Sequence, residues 1–176
     1  MFEEYLQDAY GFLLIAQKST DSREARRYYR AAAFYIAGAI ESFLNYVAQS
    51  FAHAATLSPH EIAFLNDKNL IYSPDKLKVL EKTEYHKIED KLKVLIKRFL
   101  PALDLGRTTW WSELQEFKDF RDSLVHPKKS EDETDINTYN TKVSSGLRAT
   151  IQGMNEISKG IFKRPIRKQL LDLMPE

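Results

Sequence analysis

The sequence contains no cysteine. Disulfide bonds and thiolate metal sites are therefore excluded, and the composition is consistent with a reducing compartment. Long apolar runs are also absent. The longest, AAAFYIAGAI at residues 31–40, is far shorter than the roughly 20 residues of a membrane-spanning helix. The acidic, amphipathic start MFEEYLQDAY is unlike a signal peptide. We therefore expect a cytoplasmic protein that does not insert into a membrane.

A large excess of one charge is lacking as well. Lysine and arginine number 26 and aspartate and glutamate 25, so the 176-residue chain has a net charge of +1. Proteins that coat nucleic acid carry a large positive excess, which this balance argues against, although a local basic groove is compatible with it. The length suits one packed domain. No linker-like stretch divides residues 1–176, so we predict a single domain.

Strand-like alternation is nearly absent, and helical periodicity dominates. The sequence DSRE at residues 21–24 is a capping-box pattern, in which Asp21 accepts from the first turn and Glu24 reaches back. SPHE (58–61) and SPDK (73–76) each place serine at the cap and proline at the first helical position, which predicts two short helices. Longer helices are predicted over residues 2–18, 22 to about 51, about 88–100, 108–126 and 136–162. The interpretation is an all-α, single-domain helical bundle of about four or five main helices.

Two repeated patterns have simple interpretations. The hexapeptide DKLKVL occurs at residues 75–80 and 90–95, and we attribute it to helix-favouring composition because six residues are too few for a structural repeat. Gly146, Gly153 and Gly160 recur at seven-residue steps in the last long helix. A line of small residues allows close helix approach although each glycine weakens the helix. We expect this line to favour a symmetric homodimer contact.

Arg121, in the stretch FKDFRDSLVHPKK (residues 117–129), occupies a position that is unusual for a charged residue. On a helical wheel its side chain falls among apolar residues rather than on the polar face. A guanidinium stays charged and costs several kcal/mol to bury without a partner. It therefore needs a carboxylate, backbone carbonyls, a phosphate ligand or a water-filled groove. A structural ion pair, or a stem lying along apolar surface, is the alternative to a functional site.

His126 follows five residues later and directly precedes Pro127. Proline biases the preceding residue away from helical dihedrals, so we expect the chain to turn there and to allow the imidazole to swing toward Arg121. The C-terminus of a helix also favours a cationic imidazole. A hydrogen-bonded histidine that merely ends the helix is one alternative, and a partner molecule that supplies the missing half of a site is another.

Together these residues form a recognisable pattern. FRDSLVHP contains arginine, a polar residue, three further residues and then histidine, which resembles the signature of the HEPN superfamily, an all-α group found in many prokaryotic RNases and toxins. Asp122 stands where asparagine is commoner. The order of segments is also similar to that family: residues 37–48, 73–80, 111–129 and a final long helix.

The resemblance implies a symmetric homodimer with both copies of the motif in one cleft. In catalytic members it implies RNA cleavage without metal or cofactor, in which the ribose 2′-hydroxyl attacks the adjacent phosphate. His126 would then move protons, Arg121 would hold the phosphate, and Asp122 would orient the imidazole or the arginine. RNA and an antitoxin protein are the implied partners. A non-catalytic interaction or nucleotide-binding module, and a bundle in which both residues only pair internally, stay open.

Other residues have a functional and a plain interpretation. Glu41 and Asn45 lie one turn apart and face either the Arg121 cleft or solvent. Lys128 contacts an RNA backbone or belongs to a solvated loop beside the acidic run 131–135. The histidines elsewhere lack metal-ligand spacing, so no metal site is expected.

A basic segment near the C-terminus either steers nucleic acid or is a solvated helix end; its cations are Lys159, Lys163, Arg164, Arg167 and Lys168. For the adjacent tryptophans, core packing is favoured over base stacking; they are Trp110 and Trp111.

Overall fold

The structure is a computed structural model that describes residues 1–51, 56–76, 78–126 and 134–175. The protein is 73% helix and 7% strand, so the all-α fold class is confirmed. The described residues form seven α-helices and one two-stranded hairpin. They are α1 (Phe2–Lys18), α2 (Ser22–Ser50), α3 (Pro59–Leu65), β1 (Lys68–Ser73), β2 (Lys78–Thr83), α4 (Ile88–Phe99), α5 (Thr109–Val125), α6 (Ile136–Phe162) and α7 (Lys168–Leu171).

Helices α1 and α2 form an antiparallel pair at the N-terminus. The buried residues of α1 recur at three- and four-residue steps and pack against α2. Asp21 caps α2 by accepting a hydrogen bond from the Arg23 N–H at 3.0 Å, as predicted. The other half of the predicted capping box is wrong. Glu24 instead accepts a hydrogen bond from the Ser19 hydroxyl at 2.8 Å, because that hydroxyl lies within its reach.

The middle of the chain contains one of the two predicted short helices. Helix α3 has the full capping box: the Ser58 hydroxyl accepts from the Glu61 N–H, and the Glu61 carboxylate accepts from the Ser58 N–H. At the second position Pro74–Lys76 form a three-residue 3-10 helix rather than an α-helix, and SPDK lies at the turn between the antiparallel strands β1 and β2. Serine, proline and aspartate suit successive turn positions, and the flanking Ile71, Tyr72 and Val79 favour strands.

The repeated hexapeptide therefore adopts two structures. At 75–80, where the structure describes all but residue 77, it runs from the turn into β2, and at 90–95 it lies inside α4. In α4 its apolar residues face the core, where Leu92 and Leu95 are buried. In the hairpin Val79 is 58% exposed. Tertiary packing, and not the six residues themselves, decides the conformation.

Helices α2, α5 and α6 build the main core. The predicted close approach along the glycine line occurs, but inside one chain. The Phe117 ring covers Gly146, Trp110 covers Gly153, where a Cβ would lie 2.9 Å from the ring, and Leu100 covers Gly160. Both tryptophans are buried, which confirms the core interpretation. The expectation that this line contacts a second copy is wrong, since the chain's own side chains occupy it.

Helix α2 contains an 18-residue stretch with a mean hydropathy of 1.3. By length and composition alone it could cross a membrane, although 56% of its most apolar window is buried inside the molecule. The core helix of a soluble protein has the same character, so this property is weak support for a membrane span.

Candidate functional site

The motif residues lie at the C-terminal end of α5. The helix ends at Val125, and the N–H of His126 donates to the Asp122 carbonyl at 2.9 Å. The dihedrals of His126, φ −121° and ψ 66°, are not helical, so the predicted turn before Pro127 begins here. Lys128 lies outside the described residues.

Arg121 lines a narrow crevice between three helices. Its neighbours in that crevice are largely apolar, namely Ala37 and Ile40 of α2, Ile88 of α4, and Trp111, Leu114 and Phe117 of α5. The side chain of Arg121 is 25% exposed, so the apolar neighbours cover most of it and part of it is open to solvent. The cavity volume is about 30 Å³, which suits a single water. A nucleotide does not fit inside one chain at this point, and any phosphate must contact the outer edge of the guanidinium.

A network of alternating charges holds the arginine in place. Arg121 Nη1 lies 2.9 Å from Asp122 Oδ1, and the other carboxylate oxygen lies 3.7 Å from Lys118 Nζ. Lys118 also bonds Glu89 of α4 at 3.0 Å. The hydrogen bond to Glu89 raises the pKa of Lys118, against the opposing effect of burial. Asp122 thus orients the arginine, and Lys118 ties the motif to α4.

The side chain of His126 is exposed. It has no hydrogen-bond or ion-pair partner among the residues that the structure describes. The hydrogen bonds of the Asp122 side chain go to the arginine, so the alternative in which Asp122 orients the imidazole is not the arrangement seen. His126 therefore lies at the same end of α5 as Arg121, and no described residue occupies the nitrogens of its imidazole.

The auxiliary residues on α2 are exposed. Glu41 and Asn45 follow Ala37 by one and two turns on the same stripe of the helix, and neither is bonded to Arg121. In the described ranges, three or more histidine, aspartate or glutamate side chains do not come together in a group that could hold a metal ion. The functional groups that the structure brings together are Arg121, Asp122, Lys118 and Glu89.

Comparisons with protein-family models, with curated proteins and with solved structures give no match to this chain. The resemblance to the HEPN superfamily therefore rests on the motif and on the order of the long helices, since residues 73–80 lie in the hairpin.

The sequence did not identify Lys118, Glu89 or Phe34 as residues of this region. Lys118 precedes Asp122 by four residues, a helical spacing at which opposite charges meet, so this pair could have been found. Glu89 comes from another helix and gives no local sign of its role. Phe34 of α2 is 49% exposed and lies one turn before Ala37. Val125 is 38% exposed and lies one turn after Arg121, so apolar surface flanks the motif on both helices.

Replacement of Arg121 by alanine is expected to change the free energy of unfolding by no more than about 1 kcal/mol. The ion pair with Asp122 is partly exposed, and pairs of that kind contribute little. A buried structural pair would instead cost roughly 3–5 kcal/mol when one partner is removed. Urea unfolding of both proteins distinguishes these values, and a loss in the larger range would identify Arg121 as a structural residue.

Proposed function

We propose that the protein is a metal-independent endoribonuclease of the HEPN type that acts in a toxin or defence system. The observation that carries this proposal is a guanidinium, Arg121, oriented by Asp122 at the same helix end as the exposed imidazole of His126, which has no partner among the described residues. A cytoplasmic location, where RNA is found, and control by an antitoxin protein belong to the same proposal.

Cleavage by the ribose 2′-hydroxyl requires a cation that binds the phosphate and groups that transfer protons. The ribose 2′-oxygen bonds to the adjacent phosphorus while its proton passes to a base, and the bond from phosphorus to the 5′-oxygen breaks. The leaving 5′-oxygen takes a proton from an acid, which leaves a 2′,3′-cyclic phosphate and a 5′-hydroxyl. One guanidinium N–H of Arg121 is committed to Asp122. Its other donors are available to the phosphate, whose developing charge they stabilise.

A second copy of the chain completes this site in our proposal. The reaction needs a base and an acid, and the described end of α5 offers one imidazole. The crevice beside Arg121 is too small to enclose a substrate, so a cleft requires an opposing surface. The exposed Phe34 and Val125 flank the motif and provide apolar area for a two-fold contact. Two copies related in this way bring two arginines and two histidines to one phosphate.

The dimer is expected at micromolar concentration, and Phe34→Glu is expected to convert it to monomer because the new charge would be buried in the contact. Light scattering measures both states. Tyr85→Glu is the matched control, since Tyr85 is 87% exposed and lies between the hairpin and α4. Monomeric wild-type protein, or a Phe34→Glu variant that remains a dimer, would contradict this contact.

Incubation with structured and unstructured RNAs in EDTA tests the proposed activity. We expect slow cleavage of RNA and none of DNA, because DNA lacks the 2′-hydroxyl that serves as nucleophile. Arg121→Ala is expected to abolish cleavage while the circular dichroism remains helical. Cleavage that requires added Mg²⁺ would contradict the mechanism. Inactivity on all RNAs would favour the non-catalytic module, in which Arg121 binds a nucleotide phosphate without turnover.

A further inference from the structure

A second groove lies beside the basic segment near the C-terminus. Residues 159–168 contain five cations and no acidic residue. The structure brings the end of this segment against aromatic side chains of α1, α2 and α6, where they form a groove of about 370 Å³. The residues that matter for its chemistry are Tyr46, Phe162, Arg164, Arg167 and Glu3. Its volume lies in the range of about 300–1,000 Å³ that is usual for small-molecule sites.

Local hydrogen bonds shape the basic wall of the groove. Helix α6 ends at Phe162, and Lys163, which caps it, has a left-handed φ of 57°. The Ser158 hydroxyl donates to the Arg164 carbonyl at 2.9 Å, and the Ile166 N–H donates to the Asn155 side chain at 3.3 Å. Ile166 is also buried. The turn is therefore fixed at both sides, and it places Arg164 and Arg167 at the groove.

The opposite wall is aromatic. Tyr46 of α2 is 41% exposed, and its ring lies 5.8 Å from Phe162 and 5.6 Å from Phe2 between ring centres. Both phenylalanine rings pack against the tyrosine, and the rest of the tyrosine side chain is open to solvent. An open aromatic ring supported in this way is the kind of surface on which nucleic-acid bases stack.

The residues that line the groove have a net positive charge. Arg167 pairs with Glu3 at 2.9 Å, and these two charges offset each other. Arg164 is exposed and has no ion-pair partner among the described residues. The lining therefore carries two arginines against one glutamate, a net charge of +1. Exposed Lys163 and Lys168 flank the groove and add to the attraction for anions.

This groove is separate from the Arg121 crevice. Tyr46 follows Ala37, which lines that crevice, by nine residues along α2. Ala37 and Ile40 of α2 line the crevice, whereas Phe43 and Tyr46, further along the same helix, line the groove. The two sites therefore share no lining residue.

We propose that this groove binds a nucleotide unit, with the base against Tyr46 and the phosphate on Arg164. The unit is either a free nucleotide or one residue of a single-stranded RNA, since both present the same base and phosphate. The proposal is independent of the nuclease activity, because the groove contains neither Arg121 nor His126.

Fluorescence anisotropy with a labelled ten-residue oligoadenylate, and calorimetry with AMP and ATP, test this site. The full chain carries Arg121→Ala and His126→Ala throughout, so that neither cleavage nor the first site contributes. Tyr46→Leu is expected to weaken binding at least about five-fold through loss of stacking. Arg164→Ala is expected to weaken it and, for the oligonucleotide, to reduce the slope of log affinity against log salt by about 0.7.

Matched controls replace exposed residues of the same two types elsewhere. Tyr72→Leu in the hairpin and Arg107→Ala before α5, which are 58% and 88% exposed, are expected to leave affinity unchanged. Binding of AMP or ATP identifies a free nucleotide as the ligand, whereas binding of the oligonucleotide alone identifies RNA. Loss of affinity in Arg164→Ala without loss in Tyr46→Leu would overturn the nucleotide assignment in favour of a general anion site. Absence of binding by both probes at low salt would also overturn it.

Discussion

His126→Ala is expected to lower the rate of RNA cleavage by roughly 10²–10⁴-fold, the usual contribution of one proton-transfer group. The imidazole is exposed and has no partner among the described residues, so its removal should leave the fold and the thermal unfolding temperature unchanged. Single-turnover cleavage at saturating protein measures the loss.

His60→Ala is the matched control for this substitution. His60 is also exposed but lies in α3, away from the motif, and its variant is expected to cleave at the wild-type rate. Cleavage that persists in His126→Ala would show that another group transfers the proton, and equal losses in both variants would point to a general effect on stability.

Asp67→Ala is expected to destabilise the protein by about 3–5 kcal/mol, because it leaves the Lys91 ammonium unpaired. Lys91 Nζ lies 2.6 Å from Asp67 Oδ2, and the lysine side chain is only 5% exposed. Asp67 also accepts a hydrogen bond from the His86 N–H at 2.8 Å. Asp67 directly precedes β1, so its bonds to His86 and Lys91 join the start of the hairpin to the start of α4. Urea unfolding measures the cost. The control Glu81→Ala removes an exposed partner of Lys68 and should cost less than about 1 kcal/mol.

The same pair predicts how stability depends on pH. Burial raises the pKa of Asp67, but the His86 N–H and the Lys91 ammonium outweigh it, so the pKa lies below its ordinary value of 3.8. A carboxylate with a depressed folded-state pKa stabilises the protein above its unfolded pKa, and this contribution is lost as the pH falls through the folded-state pKa. The stability difference between wild type and Asp67→Asn should therefore shrink between about pH 5 and pH 3. A constant difference over that range would contradict the pairing.

Most helices could be predicted because their apolar stripes are long and regular. The last long helix has the predicted bounds, and the helix carrying the motif differs by one residue at each end. The hairpin could not be predicted in this way. Its strands are six residues each, and Ile71, Tyr72 and Val79 are exposed rather than buried on one face, so they give no clear alternation.

The candidate site was partly predictable for a similar reason. The wheel places Arg121 among apolar residues, and the crevice confirms that position. A wheel describes one helix, so it could not reveal Glu89 from α4 or decide between the two roles considered for Asp122. It also could not show that the glycine line packs against Phe117 of the same chain rather than against a second copy.

In the proposed mechanism the ribose itself is the nucleophile at the Arg121–His126 site. The most direct test is mass spectrometry of the fragments formed in EDTA from an RNA oligonucleotide and from the same oligonucleotide with a single 2′-deoxyribose before the cleaved bond. The mechanism predicts 2′,3′-cyclic phosphate and 5′-hydroxyl ends, and no cleavage at the substituted position. A 5′-phosphate end, or cleavage at the deoxyribose, would contradict it.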